Sequence, residues 1–184
     1  IVHGYDGGDP LTGAVSFPIY QTSTYLNPKL GSDIKYSYTR CSNPTRNELE
    51  CTIALLENGC AGFAFSTGLA AVLSVFSLLS KGDHVIISDD IYGGTYRLIE
   101  ELWRGYGIDF EYVDIGDSQK VRSLVKPNTR MIYAETPTNP MMKVADIAAL
   151  SEIAKSAGAL LVVDNTFLTP YFQRPIDLGA DIVI

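Results

Sequence analysis

Two hydrophobic rhythms alternate along the chain from Asn43 onward. Short apolar runs are followed by longer stretches in which apolar positions return every three or four residues. The short runs predict strands over 61–65, 84–88, 109–113, 131–135, 159–163 and 181–184. The longer stretches predict helices over 68–79, 95–106, 118–124 and 146–157, with a short helical turn at 175–178. Ahead of them, Pro44 opens a helix in which Leu49, Ile53 and Leu56 recur until Gly59 stops it. The runs Val85, Ile86, Ile87 and Leu160, Leu161, Val162, Val163 are apolar throughout instead of alternating. Strands covered by helices on both faces need that composition. Strand and helix in turn predict an α/β fold: a three-layer α/β/α arrangement around a mostly parallel sheet. No helix follows the last predicted strand, so more of the protein is expected beyond Ile184.

Residues 1–43 have no such rhythm. Tyr5, Phe17, Tyr20, Tyr25, Tyr36 and Tyr38 are scattered among Gly, Pro, Ser and Thr. That is too aromatic for a disordered arm, and it predicts an extended strap lying on something else, often a partner subunit. The expected division is a strap over 1–43 and the first part of a large domain over 44–184.

Composition narrows the function. Hydrophobic residues make up 46% and charged residues 19% of the 184, the balance of a globular protein. The formal net charge of -7 disfavours nucleic acid and anionic membranes as partners, while leaving room for a local phosphate pocket. No apolar run is long enough to span a bilayer. Cys41, Cys51 and Cys60 are odd in number and form no CxxC pair, so a reducing cytoplasm is expected.

In a parallel sheet, polar residues just after each strand meet on one rim, where ligands bind. That rim collects Ser66, Thr67 and Gly68; Asp89 and Asp90 with Tyr92, Gly93 and Gly94; Glu135 with Asn139; and Asp164, Asn165 and Thr166. Backbone N–H groups of Gly68 and Leu69 at a helix start suit a phosphate, although a plain turn capped by Ser66 or Thr67 fits equally. Asp164 sets a carboxylate at the end of a buried strand, which is costly unless a cation or donor meets it. A protonated pyridine nitrogen, a magnesium ion or a helix start would each serve. A metal is the poorer choice, because His3 and His84 are the only histidines. Tyr92, ahead of two glycines, can stack on a flat ligand or pack inward. Tyr38 and Arg40, two apart in an extended stretch, share a face and can clamp a dianion, or be a packed tyrosine beside a solvated arginine.

Five stretches together resemble the pyridoxal-phosphate enzymes of cysteine and methionine metabolism. They run from Tyr38 through Arg40 and Asn43 to Arg46, from Ser66 to Leu69, from Asp90 through Tyr92 to Arg97, from Glu135 through Asn139 to Pro140, and from Asp164 to Phe167. The resemblance covers the whole chain. It implies the aspartate-aminotransferase-like (type I) fold with pyridoxal 5'-phosphate as cofactor, the chain ending before the smaller C-terminal domain. It also implies that Asp164 pairs with the pyridine nitrogen, Tyr92 stacks on the ring and assists proton transfer, and Asn139 sits near the phenolic oxygen. Gly68 and Leu69 would hold the phosphate, Thr166 would join the cofactor site, and Tyr38 and Arg40 would reach the phosphate from a neighbouring subunit. A homotetramer built as a dimer of dimers with shared sites follows, acting on an amino-acid substrate.

The resemblance places the Schiff-base lysine and the substrate-carboxylate arginine beyond Ile184. None of Lys29, Lys35, Lys81, Lys120, Lys126, Lys143 or Lys155 stands at the motif position. Methionine gamma-lyases carry a cysteine where this chain has Gly94, which points away from that activity. The expected reaction is gamma-replacement on an O-acylhomoserine with cysteine to give cystathionine. Cystathionine beta- or gamma-lyase and O-acetylhomoserine sulfhydrylase are the alternatives, and a noncatalytic binding or assembly fragment is the reading from another class.

Overall fold

The computed structural model describes residues 7–184; His3 and Tyr5 of the expected strap lie outside the described residues. The described residues form two compact units, one ending at Ala64 and the other spanning 65–184. In the first, Thr24 and Tyr38 form an isolated antiparallel bridge, and the rings of Tyr25 and Tyr36 lie 5.7 Å apart. Helix α1 (Pro44–Glu57) starts where the sequence predicts. The Asn43 side chain accepts from the Thr45 N–H at 2.8 Å and donates to the Tyr20 carbonyl at 3.1 Å, so one residue caps the helix and ties down the segment before it. The helix ends at Asn58, which takes the left-handed conformation (φ 56) one residue ahead of the expected Gly59.

Segment 61–65 is not the strand its short apolar run predicts. It pairs with no strand among the described residues; instead the Ala64 N–H donates to the Glu50 carboxylate at 3.0 Å. A side chain at Gly62 would collide with the Glu50 carbonyl, so the backbone lies directly on α1. Phe63 and Phe65 are left exposed. A short apolar run signals a strand, but a strand also needs a neighbour for its N–H and C=O groups.

The second unit is a five-stranded parallel sheet in the order β2-β1-β3-β4-β5. Its strands are β1 (His84–Ser88), β2 (Asp109–Val113), β3 (Thr129–Glu135), β4 (Leu160–Asp164) and β5 (Ile182–Val183). The helices are α2 (Gly68–Phe76), α3 (Gly93–Glu101), α4 (Ser118–Ser123), α5 (Ile147–Ala157) and a single turn, α6 (Thr169–Phe172), that the sequence did not suggest. The predicted helix 95–106 divides into α3 and a 3-10 turn, Trp103–Tyr106. One face of the sheet buries Val85, Ile87, Met131 and Val162 under Val72, Val75 and Phe76 of α2 and Ile99 of α3. The other buries Ile86, Ile132, Leu161 and Val163 under Val121 of α4 and Leu150 and Ile153 of α5. Neighbouring residues along each strand thus serve opposite cores, which is why the runs are apolar without a break. The expected three layers are what is found.

His84, fully buried at the amino end of β1, joins three strands. Its Nδ1 lies 2.9 Å from Thr129 Oγ1 and its Nε2 3.2 Å from Glu111 Oε2. The Glu111 carboxylate can only accept, so the neutral ring carries its proton on Nε2, and Nδ1 accepts the Thr129 hydroxyl. Burial, helped by the Lys126 charge, pushes the imidazole below its ordinary 6.5. The unfolded chain therefore takes up the proton first as pH falls through 6.5, and stability is lost in that direction, toward about 1.4 kcal/mol per pH unit at most. Denaturant unfolding of wild type and His84→Leu between pH 7.5 and about 5.5 tests this. An equal slope in both proteins would refute the assignment.

Candidate active site

The carboxyl ends of the strands bring the predicted rim together. In the β3–β4 ladder Tyr133 faces Val162 and Glu135 faces Asp164, so two carboxylates end adjacent strands. Tyr133 and Glu135, two apart, share the sheet face covered by α2 and α3, as do Val162 and Asp164. That face opens at the rim into a cavity of about 480 Å³. Its lining includes Gly68 and Leu69 from the start of α2, Tyr92 and Thr95 from the start of α3, Asn139, and Asp164 with Thr166. Six of the eight residues proposed from sequence thus line one cavity. Tyr38 and Arg40 belong to the first unit, where the Arg40 guanidinium lies 5.1 Å from the centre of the Tyr38 ring.

Asp164 is 8% exposed and well supplied with donors. Oδ1 accepts from the Thr166 hydroxyl at 2.6 Å and the Thr166 N–H at 3.2 Å, while Oδ2 accepts from the Tyr133 hydroxyl at 3.1 Å. One acceptor position on Oδ2 is left for a further donor. Burial, with the Asp164 charge beside it, pushes the Tyr133 phenol well above its ordinary value and keeps it a protonated donor. Tyr133 escaped the sequence reading, although its place two residues before Glu135 was the available signal.

Glu135 is also buried, and both its oxygens are occupied: Oε2 accepts the Tyr92 N–H at 2.8 Å and Oε1 the Asn139 N–H at 2.9 Å. Burial pushes its carboxyl up, the two N–H groups pull it down, and the nearby charges of Asp164 and Asp90 push it up again.

The remaining walls suit a flat anion. Thr67 caps α2 by accepting the Ala70 N–H at 3.1 Å, and the N–H groups of Gly68 and Leu69 precede it in a first turn that has no intrahelical acceptors. A Cβ on Gly68 would meet nothing within 4 Å, so this approach is open. Tyr92 is half-exposed, and its ring lies so close over Gly94 that any side chain at 94 would overlap it. Val72, Pro137, Phe167 and Ile184 add walls that sequence reasoning did not single out. Among the described residues no group of three or more His, Cys, Asp and Glu could hold a metal ion, and no helix is long and apolar enough to cross a membrane.

An acid at the tip of an interior strand, an anion-receptive helix start and a displayed aromatic ring are donors and acceptors that fit a phosphorylated heteroaromatic cofactor such as pyridoxal phosphate. The chain belongs to the Cys/Met metabolism PLP-dependent enzyme family, whose family model matches residues 1–184. It is 52% identical over its whole length to a cystathionine gamma-lyase of Bacillus subtilis (strain 168), of which it covers 48%. It is 50% identical over 176 residues to a cystathionine gamma-synthase/O-acetylhomoserine (thiol)-lyase of the same organism, 96% of this chain and 47% of that one. The crystal structure of a cystathionine gamma-lyase from Lactobacillus plantarum, complexed with L-serine, superposes with a TM-score of 0.94 at 48% identity, over 99% of this chain and 48% of that one. The chain thus spans about half the length of these relatives.

Proposed function

We propose that the intact protein is a pyridoxal-phosphate enzyme of transsulfuration that cleaves a carbon–sulfur bond of cystathionine. The observation carrying this reading is the buried Asp164 carboxylate, held by Tyr133 and Thr166 with one acceptor position left, in a cavity that also includes the open start of α2. Asp164 would hold a proton on the ring nitrogen, and the N–H groups of Gly68 and Leu69 would take the phosphate. Tyr92 would stack on the ring and could carry a proton beside it, while Asn139 and Thr166 would hold the ring's edge. Bound there, the cofactor supplies an electron sink that makes the substrate's Cα proton removable. No lysine lines the cavity among the described residues, and the covalent lysine is assigned to the part of the protein outside this chain.

Similarity favours cleavage, because the 52% identical relative and the superposed structure both bear lyase names. The 50% identical relative supports a second reading, gamma-replacement on an O-acylhomoserine with cysteine to form cystathionine, or with another thiol or sulfide in its place. Intact protein supplied with cystathionine should release ammonia, a thiol amino acid and a 2-oxo acid, pyruvate or 2-oxobutyrate. Faster formation of cystathionine from O-acylhomoserine and cysteine would overturn cleavage in favour of replacement.

The same proposal includes a homotetramer in which Tyr38 and Arg40 reach the phosphate of a neighbouring subunit. Arg40→Ala and Asp164→Ala subunits, each inactive alone, should regain activity when mixed, because one site of each mixed pair then carries neither change. Absence of any recovery in confirmed mixed oligomers would count against shared sites.

A further inference from the structure

Tyr92 and Asn139 sit on different loops, one after β1 and one after β3, yet both line the same cavity. What ties the loops together is Glu135. Its two carboxylate oxygens take the Tyr92 and Asn139 N–H groups at 2.8 and 2.9 Å, and the side chain is only 5% exposed. Its own N–H is fixed by the Ser88 hydroxyl at the end of β1, at 3.1 Å. No side chain caps α3, so Glu135 supplies the acceptor at the turn that displays Tyr92. Asp90 secures the Asn139 loop from the other side, accepting from the Thr138 hydroxyl and from the Met141 N–H at 3.0 Å.

A second carboxylate beside Asp164 is an expensive neighbour, since the two face each other directly in the β3–β4 ladder and both are buried. Two backbone donors arriving at separate oxygens require two acceptors, which a carboxylate has and an amide lacks.

We infer that Glu135 is a positioning residue that sets the stacking ring of Tyr92 and the Asn139 side chain against the cofactor ring, an inference that rests on reading the cavity as a pyridoxal-phosphate site. Glu135 borders the cavity itself, but it sets the two loops through the backbone N–H groups it holds.

The test uses the apo form of the intact protein titrated with pyridoxal phosphate, as wild type, Glu135→Gln and Glu135→Asp. The glutamine keeps the shape but has one acceptor; the aspartate keeps the charge but is one methylene too short to reach both donors. Each should raise the Kd for the cofactor about tenfold, from the loss of one charge-assisted hydrogen bond. Each should also alter the visible circular dichroism per bound cofactor, which reports the ring's orientation, and speed amide exchange at Tyr92 and Asn139 while the strands stay protected. If one variant fails to fold, the other carries the test. Wild-type Kd and unaltered dichroism in a folded variant would overturn the inference and leave the cofactor reading standing. Failure of wild-type protein itself to bind pyridoxal phosphate would remove both.

Discussion

Asp164→Ala in the intact protein should lower turnover on the order of 10²–10³-fold, the scale of removing one preorganised charge from an active site. Cofactor affinity should fall with it. The Asp164 carboxylate is held by three donors, two from Thr166 and one from Tyr133, so it stands in place before any ligand arrives. A carboxylate placed so would keep a ring nitrogen of the cofactor protonated, the state in which such a ring can serve as an electron sink. Alanine also strands the buried Tyr133 hydroxyl, at a cost of about 1–3 kcal/mol. That stability loss must be separated from the chemical one. Asp164→Asn serves here: it fills the same space and can still accept from Tyr133, but carries no charge. Comparable loss of activity in both variants, with a smaller loss of stability in the asparagine, is the expected pattern. Steady-state rates at saturating pyridoxal phosphate, beside denaturant midpoints, read both quantities. Full activity in either variant would remove the assignment of the ring nitrogen to Asp164.

Phe76→Ala should destabilise the protein by about 3–5 kcal/mol, the range for emptying a buried aromatic site. Phe76 has no exposed surface, and its ring meets those of Tyr133 at 5.4 Å, Phe110 at 5.6 Å and Trp103 at 6.4 Å. It is the last residue of α2, whose first residues line the cavity, and it packs on the tyrosine that supports Asp164. The cavity left by alanine therefore loosens two walls of the site at once. Denaturant unfolding gives the stability, and pyridoxal-phosphate titration of the surviving folded fraction should show weaker binding as well. Phe76→Leu, which refills most of the volume, should recover the larger part of both. A midpoint within about 1 kcal/mol of wild type for the alanine variant would mean that the aromatic cluster is not the anchor described.

The strands were easiest to read where they are covered on both sides. β1 and β2 lie at their predicted limits, and β4 is displaced by one residue, because continuous apolar runs admit few alternatives once helices alternate with them. The misread segment, 61–65, is a short apolar run that lies on α1, with Glu50 accepting its Ala64 N–H. Pairing is a property of neighbours, and local pattern carries no record of it. The site shows the same divide. Tyr92 and Asn139 were legible because each follows a strand and Asp164 because it ends one, and parallel strands deliver such residues to one rim; Gly68 was legible only as a helix start. Tyr133 and Thr95 sit within elements and carry no such mark, and Phe167 and Ile184 join the lining through the course of the chain after β4.

By itself, then, the order of residues determined the layered parallel architecture and which polar groups gather at its carboxyl rim, since both follow from periodicity and chain direction. Only the tertiary structure decided that Tyr133 donates to Asp164, that Glu135 joins the Tyr92 and Asn139 loops, and that the Tyr92 ring and Leu69 fill the space beside Gly94. Those contacts depend on the register between strands and on distances of about 3 Å between residues far apart in sequence, where hydrogen bonds either form or fail.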